Sequence, residues 1–182
     1  MKSTTGKHED ILYEKGKMSE LENIVKVFKS AKEEMLRHQI NQWDDIYPNE
    51  AILKADIENE ELFVGKINNK IAVIYVLNQL CDEQYSNGIW KEKGENFKVV
   101  HRLCVNPTYQ NRGIAKRTMD YIEEISIKEG KKAIRLDVFS GNPFALKMYE
   151  AVGYTIVGEA SWRKGLFYLM EKVINRNLPR SL

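Results

Sequence analysis

The residues best suited to chemistry lie where a strand-like run ends at Pro107 and a helical pattern begins a few residues later. Peptide N–H groups at the start of a helix are unpaired and carry a partial positive charge, which suits a diphosphate. Gly113 lets a ligand approach the backbone closely because it has no side chain. Arg112 adds a permanent positive charge. The junction therefore predicts a phosphate-binding turn over residues 110–115.

A second group of residues follows downstream at helical spacing. Asn142 stands where the N-cap of a helix belongs, directly before a proline. Tyr149 comes four residues after Ala145, so the two side chains project from the same side of the predicted helix. The phenol is therefore either a proton donor at a site or a core residue that packs beside Met148 and Val152.

Together these residues resemble two motifs of the GNAT superfamily of N-acetyltransferases. The turn matches the signature Gln/Arg-x-x-Gly-x-Gly/Ala as Gln110-x-x-Gly113-x-Ala115, after a strand that reads HRLCVNP. The family pattern NxxAxxxYxxxGF is matched downstream by Asn142, Ala145, Tyr149, Gly153 and Tyr154. The resemblance covers residues 97–159, and it extends to the N-terminal half only through the order of the elements.

The resemblance implies acetyl-CoA as the cosubstrate and no metal ion. Three residues would pair through their backbones with the pantetheine arm, as though it were an added strand: Leu103, Cys104 and Val105. The pyrophosphate would be held by the turn, whose residues are Gln110, Asn111, Arg112, Gly113, Ile114, Ala115 and Lys116. Asn142 would contact the cofactor arm or cap the helix that bears Ala145 and Tyr149.

The implied reaction is the attack of an amine on an acetyl thioester, with Tyr149 as the general acid for the leaving thiolate. The Val105 amide is the implied donor to the oxyanion. His101 is a candidate base because imidazole titrates near neutral pH, although a histidine on an apolar strand face is often structural. Other candidates act through water: Asp82, Glu83 and Tyr85. A reaction without a strong base is a further alternative.

The periodicity of apolar residues predicts helices, a hairpin and strands in alternation. The predicted elements are a helix over 19–35 with Ser19 and Glu22 as a capping box, a helix over 49–59, a hairpin of 62–67 and 71–77, a strand over 97–105, a helix over 112–129, a strand over 132–139, a helix from 142 to 153, and strands over 154–159 and 165–172. The strand–helix–strand unit over 97–139 should be parallel and right-handed. The resemblance adds the fold class: a GNAT-like α/β fold with a mixed, mostly antiparallel central sheet, a splayed parallel strand pair and flanking helices.

Simple alternation divides the strand over 97–105 into two faces. One face should hold Val99, His101, Leu103 and Val105, and the other Val100, Arg102 and Cys104. Cys104 is then expected to point away from His101, as a small buried residue that is not a nucleophile.

The composition is that of an ordinary globular protein, with 43% apolar and 30% charged residues among 182. This length predicts a single domain over 1–182, with loose ends at 1–7 and 175–182. The formal net charge of +2 argues against a nucleic-acid partner. Two cysteines and scattered histidines argue against a metal site, and no apolar run is long enough for a membrane span. The polar N-terminus lacks a signal peptide, so a cytoplasmic location is expected.

The leading functional hypothesis is acetylation of a small-molecule primary amine. Acetylation of a protein N-terminus or lysine, and acetyl-CoA sensing without turnover, are the alternatives. Several aromatic and basic residues have two interpretations each. Trp43, Tyr47 and Pro48 either border the acceptor pocket or pack under a loop. Trp90 is either a lid residue or simply exposed, and Trp162 and Arg163 either contact the substrate or form a turn. The sequence leaves open the acceptor, the acyl chain and the oligomeric state, a homodimer included.

Overall fold

Seven strands form one mixed sheet in the computed structural model, which describes residues 9–175. The strands are β1 (Leu12–Lys15), β2 (Leu62–Ile67), β3 (Lys70–Asn78), β4 (Phe97–Val105), β5 (Ala133–Phe139), β6 (Thr155–Trp162) and β7 (Gly165–Val173). The helices are α1 (Leu21–Arg37), α2 (Glu50–Glu58), α3 (Ile114–Lys128) and α4 (Pro143–Ala151). The order is β1-β2-β3-β4-β5-β7-β6, with β4 and β5 parallel and the other neighbours antiparallel. The predicted fold class is confirmed. The loose ends expected at 1–7 and 175–182 lie outside the described residues, apart from Asn175, which is exposed.

Local sequence signals account for several element boundaries. Asn68 and Asn69 turn the hairpin with φ values of 50° and 60°, as expected for asparagine in a tight turn. Asn49 caps α2, because its side chain accepts a hydrogen bond from the Ile52 amide at 3.0 Å. Gly130 follows α3 with a φ of 78°, a conformation that favours glycine.

Each face of the sheet carries one helix pair and one apolar core. On the first face, α1 and α2 contribute Ile24, Phe28 and Leu53, which pack with Val64 and Ile74 of the sheet. On the second face, α3 and α4 pack against the opposite side of β3, β4, β5 and β7 through Met119, Ile122, Tyr149 and Val152. Full burial of a large apolar side chain contributes about 1.5–3 kcal/mol, so these two layers hold the sheet rigidly.

The parallel strands β4 and β5 pair along only part of their length. The paired residues are Phe97 with Ala133, Lys98 with Ile134, and Val99 with Arg135. Both strands then continue, to Val105 and Phe139, with no further pairing between them in the described chain. The strands therefore diverge and leave an opening at the centre of the sheet, as the resemblance implied.

A β-bulge at Arg102 changes the direction of the side chains in the second half of β4. The β3 partners of His101 and Cys104 are Val76 and Ile74, so β4 has one residue more than β3 between these pairs. Arg102 takes up the extra residue with a φ of 53°. This left-handed conformation is strained for a residue that is not glycine.

The bulge makes the simple alternation of β4 wrong beyond His101. Cys104 packs with the residues beneath α1 and α2, on the same face as His101 and not opposite to it. Leu103 and Val105 pack instead with the residues beneath α3. The arginine is therefore directed, with His101, into the space between the sheet and the α1–α2 side.

The chain enters α1 differently from the prediction. A short 3-10 turn, Met18–Glu20, precedes the helix, and the Glu20 carboxylate accepts a hydrogen bond from the Lys17 amide at 3.3 Å. The capping box expected from Ser19 and Glu22 was therefore wrong, because the glutamate that bonds back to a preceding amide is Glu20 and its partner is Lys17. Glu22 pairs instead with Lys26 one helical turn later, at 2.6 Å.

Two further boundaries differ from the prediction. The edge strand β1 was missed because its four residues alternate weakly and Leu12 is exposed. The helix α3 begins at Ile114 and not at Arg112, because Gly113 adopts a left-handed φ of 71° and acts as the N-cap.

The polar segment over 79–96 is tied firmly to the sheet. Arg135 lies between the rings of Trp90 and Phe97, at 4.3 and 3.8 Å from their centroids. Its Nε donates to the buried Glu171 at 3.3 Å, and Glu171 also accepts from the Lys91 amide at 2.6 Å. Trp90 is therefore half-buried as an anchor of the loop, so neither the lid nor the exposed interpretation was right.

The Arg135–Glu171 pair yields a stability prediction. Arg135→Met keeps apolar contact with the two rings but leaves the Glu171 carboxylate buried without its cation. Breaking such a pair costs about 3–5 kcal/mol, measured as the free energy of unfolding in urea. Lys26→Met, which removes a pair that is exposed on both sides, should leave the unfolding midpoint nearly unchanged. Equal losses in the two variants would contradict this account.

Candidate active site

A cavity of about 1090 Å³ opens where β4 and β5 diverge. It runs from the N-terminus of α3, past α4, to the segment that joins α1 and α2. Twelve of the thirteen predicted cofactor residues line it: Leu103, Cys104, Val105, Gln110, Asn111, Gly113, Ile114, Ala115, Lys116, Asn142, Ala145 and Tyr149. His101 lines it as well. The sequence pattern thus identified residues that the fold brings to one wall.

The turn before α3 has the geometry of an anion cradle. Asn111 and Gly113 both adopt positive φ, 60° and 71°. A Cβ atom built on Gly113 would meet no atom within 4 Å, so the backbone faces open space. The amides of Ile114, Ala115 and Lys116 lead α3 and have no partner within the helix. A diphosphate therefore fits this end of the cavity.

Arg112 departs from the expected arrangement. Its guanidinium lies 3.6 Å from the Glu9 carboxylate and 5.3 Å from the Tyr109 ring centroid, and the residue does not line the cavity. The Arg112 side chain therefore pairs with Glu9 and does not face the cavity in this structure.

Asn142 has a structural role at the start of α4. Its side-chain oxygen accepts from the Ala145 amide at 3.1 Å, which is the capping role that the sequence allowed. Its Nδ2 donates to the Gln42 side chain at 2.9 Å. Asn142 therefore connects α4 to the segment between α1 and α2, across the cavity.

Tyr149 projects from α4 toward the opening between the strands. The residue is only 7% exposed. Burial, with a smaller contribution from the nearby Asp137 carboxylate, raises the pKa of its phenol well above the usual value. The phenol therefore carries its proton throughout the working pH range and is chemically a donor.

His101 lies on the α1–α2 side of β4 in a neutral state. Its Nε2 is 3.0 Å from the Asn78 Oδ1 and 3.2 Å from the Leu80 carbonyl oxygen, so this nitrogen carries the hydrogen. Burial first, and the Arg102 charge second, lower the pKa of the imidazole to about 4. A base this weak accepts a proton poorly at neutral pH.

Asp137 of β5 is the group that the sequence reasoning missed. It lines the cavity, and its Oδ2 accepts a hydrogen bond from the Tyr85 hydroxyl at 2.9 Å. Burial raises the pKa of this carboxyl to about 6. The sequence held one signal for Asp137: it is the acidic residue of a strand whose other residues are mostly apolar. Its position four residues before Gly141 and near Asn142 strengthens that signal.

Arg102 lines the cavity together with His101 and Asp137. Its guanidinium donates to both oxygens of Asp56, each at 2.6 Å, and to the Tyr47 hydroxyl at 2.7 Å. The cation–carboxylate pair is nearly neutral overall, so Asp137 is left as a separate acidic group at the cavity wall.

The segment between α1 and α2 is fastened across the mouth of the cavity. Asp44 accepts hydrogen bonds from Arg163, at 2.7 and 2.8 Å, and from Lys164 at 3.3 Å. The hydrogen bond from Arg163 lowers the pKa of the Asp44 carboxyl far below the usual value. Hydrogen bonds from the backbone amides of Ile46 and Tyr47 act in the same direction. The hairpin connection of β6 and β7 is thereby joined to the segment that carries Trp43.

The aromatic residues singled out in the sequence divide between packing and lining. Trp43 is 8% exposed and packs on Phe28, with ring centroids 5.3 Å apart, yet it also lines the cavity. Tyr47 and Trp162 line the cavity too. The acceptor side therefore combines these aromatic residues with several acidic ones, of which Asp137 is one.

Two absences apply to residues 9–175. No cluster of three or more side chains among histidine, cysteine, aspartate and glutamate has the arrangement of a metal site there. Within the same range, no helix has both the length and the apolar character required to cross a bilayer.

Comparison with known proteins agrees with the fold. The model of the Acetyltransferase (GNAT) family matches residues 20–154, and the chain belongs to this family. The uncharacterized N-acetyltransferase YesJ of Bacillus subtilis is 26% identical over 138 residues, which are 74% of each chain.

Two solved structures show the same fold at low sequence identity. A GNAT-family acetyltransferase from Streptococcus agalactiae superposes with a TM-score of 0.80 and 20% identity, covering 91% of this chain and 96% of its own. The PaiA N-acetyltransferase from Thermoplasma acidophilum, solved in complex with coenzyme A, has a TM-score of 0.68 and 18% identity, covering 90% and 99%.

The environment of His101 predicts how stability responds to acid. The folded-state pKa is about 4, against about 6.5 in the unfolded chain. Between these values the unfolded chain binds a proton that the folded protein does not, so acidification favours unfolding. Asp137 acts oppositely, because its raised pKa makes the folded protein take up a proton first.

His101→Gln, which retains a donor near Asn78, isolates the histidine contribution. From pH 7 to pH 5 the wild type should lose about 1–2 kcal/mol more unfolding free energy than the variant. Urea titrations at the two pH values provide the measurement. Parallel losses in both proteins would show that His101 is not held neutral by the fold.

Proposed function

We propose that this chain is an acetyl-CoA-dependent N-acetyltransferase that acts on a small-molecule primary amine. The observation that carries the proposal is the pairing of two groups in one cavity beside the phosphate cradle. Tyr149 is always protonated, and Asp137 is ionised at neutral pH yet basic enough to accept a proton. Such opposed protonation states define an acid and a base.

Acetyl-CoA fits the cavity from the cradle to the strand opening, where it supplies an activated acetyl thioester. The unpaired amides of α3 suit its diphosphate. The backbone of Leu103, Cys104 and Val105 lies where β4 has lost its partner strand, which suits the amide groups of the pantetheine arm. The family membership and the coenzyme A complex of PaiA support the same assignment.

The protein's own groups move two protons. Asp137 accepts a proton from the ammonium group of the acceptor, which otherwise stays charged because its pKa lies near 10. The amine nitrogen then bonds to the acetyl carbon as the bond from that carbon to sulfur breaks. Tyr149 donates its proton to the departing sulfur and regains one from the nitrogen, which loses its second proton to become the neutral amide. The base role falls to Asp137 and not to His101, because the imidazole is too weakly basic in its site.

The shape of the acceptor side supports a small molecule over a protein. Asp44 joins the α1–α2 segment to the β6–β7 connection, and Asn142 joins the same segment to α4. These bonds join the elements that border the acceptor side, which supports a small acceptor over a polypeptide. The aromatic residues Trp43, Tyr47 and Trp162 line the cavity together with acidic residues that include Asp137, a combination that suits a positively charged amine with an apolar part.

The first test is release of free thiol from acetyl-CoA in the presence of small primary amines and of peptides with free N-termini. Small amines should accelerate release. Faster release with peptides would favour protein acetylation, and cofactor binding without release would favour a sensor. Gly113→Trp should abolish release, because the indole occupies the cradle that is open in the wild type.

Calorimetry isolates the cradle from the chemistry. The affinity of Gly113→Trp for coenzyme A should fall at least about 100-fold, since each hydrogen bond to a charged group contributes about 1.5–3 kcal/mol. Gly130→Trp is the matched control, because Gly130 also has a positive φ and open space but lies at the opposite end of α3. Equal affinity of the two variants for coenzyme A would show that the cradle does not bind the diphosphate.

The second test concerns the two proton-transfer groups. Tyr149→Phe and Asp137→Asn should each lower kcat about 100-fold, the usual contribution of general acid–base catalysis, with little change in coenzyme A affinity. Asp137→Asn should also lose the rise of kcat/KM near pH 6. Tyr121→Phe, whose ring stacks on Tyr13 away from the cavity, serves as the control. Unchanged turnover in either variant rejects the role of that residue.

A further inference from the structure

We propose that Tyr85 is a positioning residue that holds the Asp137 carboxylate in its catalytic orientation. This inference rests on the proposed function, because it assigns the support of the proposed base. Tyr85 lies in the short helix Glu83–Asn87, within the polar segment between β3 and β4. The Tyr85 hydroxyl donates to Oδ2 of Asp137 at 2.9 Å.

Tyr85 reaches Asp137 from behind the cavity wall. Asp137 lines the cavity, whereas Tyr85 is 4% exposed and does not line it. The phenol therefore does not contact a bound acceptor and acts only through the carboxylate. Its hydrogen bond occupies Oδ2 and restrains the carboxylate, and we assign Oδ1 to the ammonium group.

Packing holds the phenol in place. The Tyr85 ring stacks on Trp90, with centroids 5.5 Å apart and planes 17° apart, and meets Trp162 edge-on at 6.4 Å. The Trp90 Nε1 donates to the Tyr85 carbonyl oxygen at 2.8 Å. Two ring contacts and one backbone hydrogen bond thus hold Tyr85, so little side-chain freedom is lost when the amine binds.

The segment that carries Tyr85 is itself anchored to two strands. The Ile89 amide donates to the Val157 carbonyl oxygen at 2.7 Å, and Asn87 Nδ2 donates to the Glu159 carbonyl oxygen at 3.2 Å. Arg135, two residues before Asp137 on β5, contacts Trp90 and donates to the Glu92 carbonyl oxygen at 2.5 Å. One strand therefore supports both the base and the segment that orients it.

The hydrogen bond also tunes the base. The groups that act on the Asp137 charge are Tyr85 and Asp82 from the polar segment, Arg102 from β4, Tyr47 from the α1–α2 segment and Tyr149 from α4. Burial is the largest influence and raises the pKa, and the Tyr85 hydrogen bond opposes it by stabilising the charged form. The balance keeps Asp137 ionised at neutral pH.

The test is the pH dependence of kcat/KM for Tyr85→Phe, which removes the hydroxyl and keeps the ring. Without the donor, the inflection near pH 6 should move upward by about one pH unit, a size typical of one hydrogen bond to a carboxylate. Activity should therefore fall more at pH 6 than at pH 8. Trp90→Phe, which keeps an aromatic ring but removes the donor to the Tyr85 carbonyl group, should weaken thermal stability and leave the inflection in place.

A titration of the Asp137 side-chain carbon by NMR gives a readout that is independent of turnover. The Asp137 titration midpoint should be higher in Tyr85→Phe than in the wild type. The difference should equal the upward shift of the inflection in kcat/KM. An unmoved midpoint and inflection in Tyr85→Phe, with the inflection lost in Asp137→Asn, would overturn the role of Tyr85 alone. If Asp137→Asn keeps the inflection, the proposed base is wrong and the inference fails with it.

Discussion

The divergence of two parallel strands is the constraint on which the rest of this structure depends. β4 and β5 pair at three positions and then separate, although both strands continue for several residues. A separated pair leaves backbone donors and acceptors without partners in the middle of the sheet, which is costly unless a ligand or water satisfies them. The opening is tolerable because α3 and α4 on one face, and α1 and α2 on the other, hold the flanking strands rigidly.

Each functional element occupies one side of that opening. The cradle before α3 lies at one end, where Gly113 keeps the backbone accessible. Tyr149 lies on α4, with the packing of the second face beneath it. Asp137 and Arg102 face the side of α1 and α2, one from each diverging strand. In the proposed reaction, the thioester and the amine approach from opposite faces of the sheet, and the proposed acid and base lie on the corresponding sides.

The sequence predicted the parts that depend on short-range signals. Pro107, Gly113 and the helical repeat of α3 located the cradle, and the Asn142 cap located α4, because caps and turns are encoded within a few residues. Tyr149 followed from spacing together with family resemblance. These signals also gave the order of the elements along the chain from α1 onward, and the parallel unit.

Long-range geometry accounts for what the sequence did not predict. The bulge at Arg102 reversed the second half of β4, and nothing in the residues 97–105 indicates a left-handed arginine, which depends on Asp56 and Tyr47 from distant parts of the chain. The direction of the Arg112 side chain toward Glu9 likewise depends on a segment about a hundred residues earlier in the chain. Asp137 was overlooked because its importance comes from burial and from Tyr85, 52 positions away in sequence.

The most direct measurement of the central claim is amide hydrogen exchange with and without coenzyme A. The account predicts slower exchange on binding in two stretches, the cradle at 111–116 and the diverging end of β4 at 103–105, with the paired strands β2 and β7 unchanged. Protection confined to other parts of the chain, with both stretches exchanging as in the free protein, would contradict it.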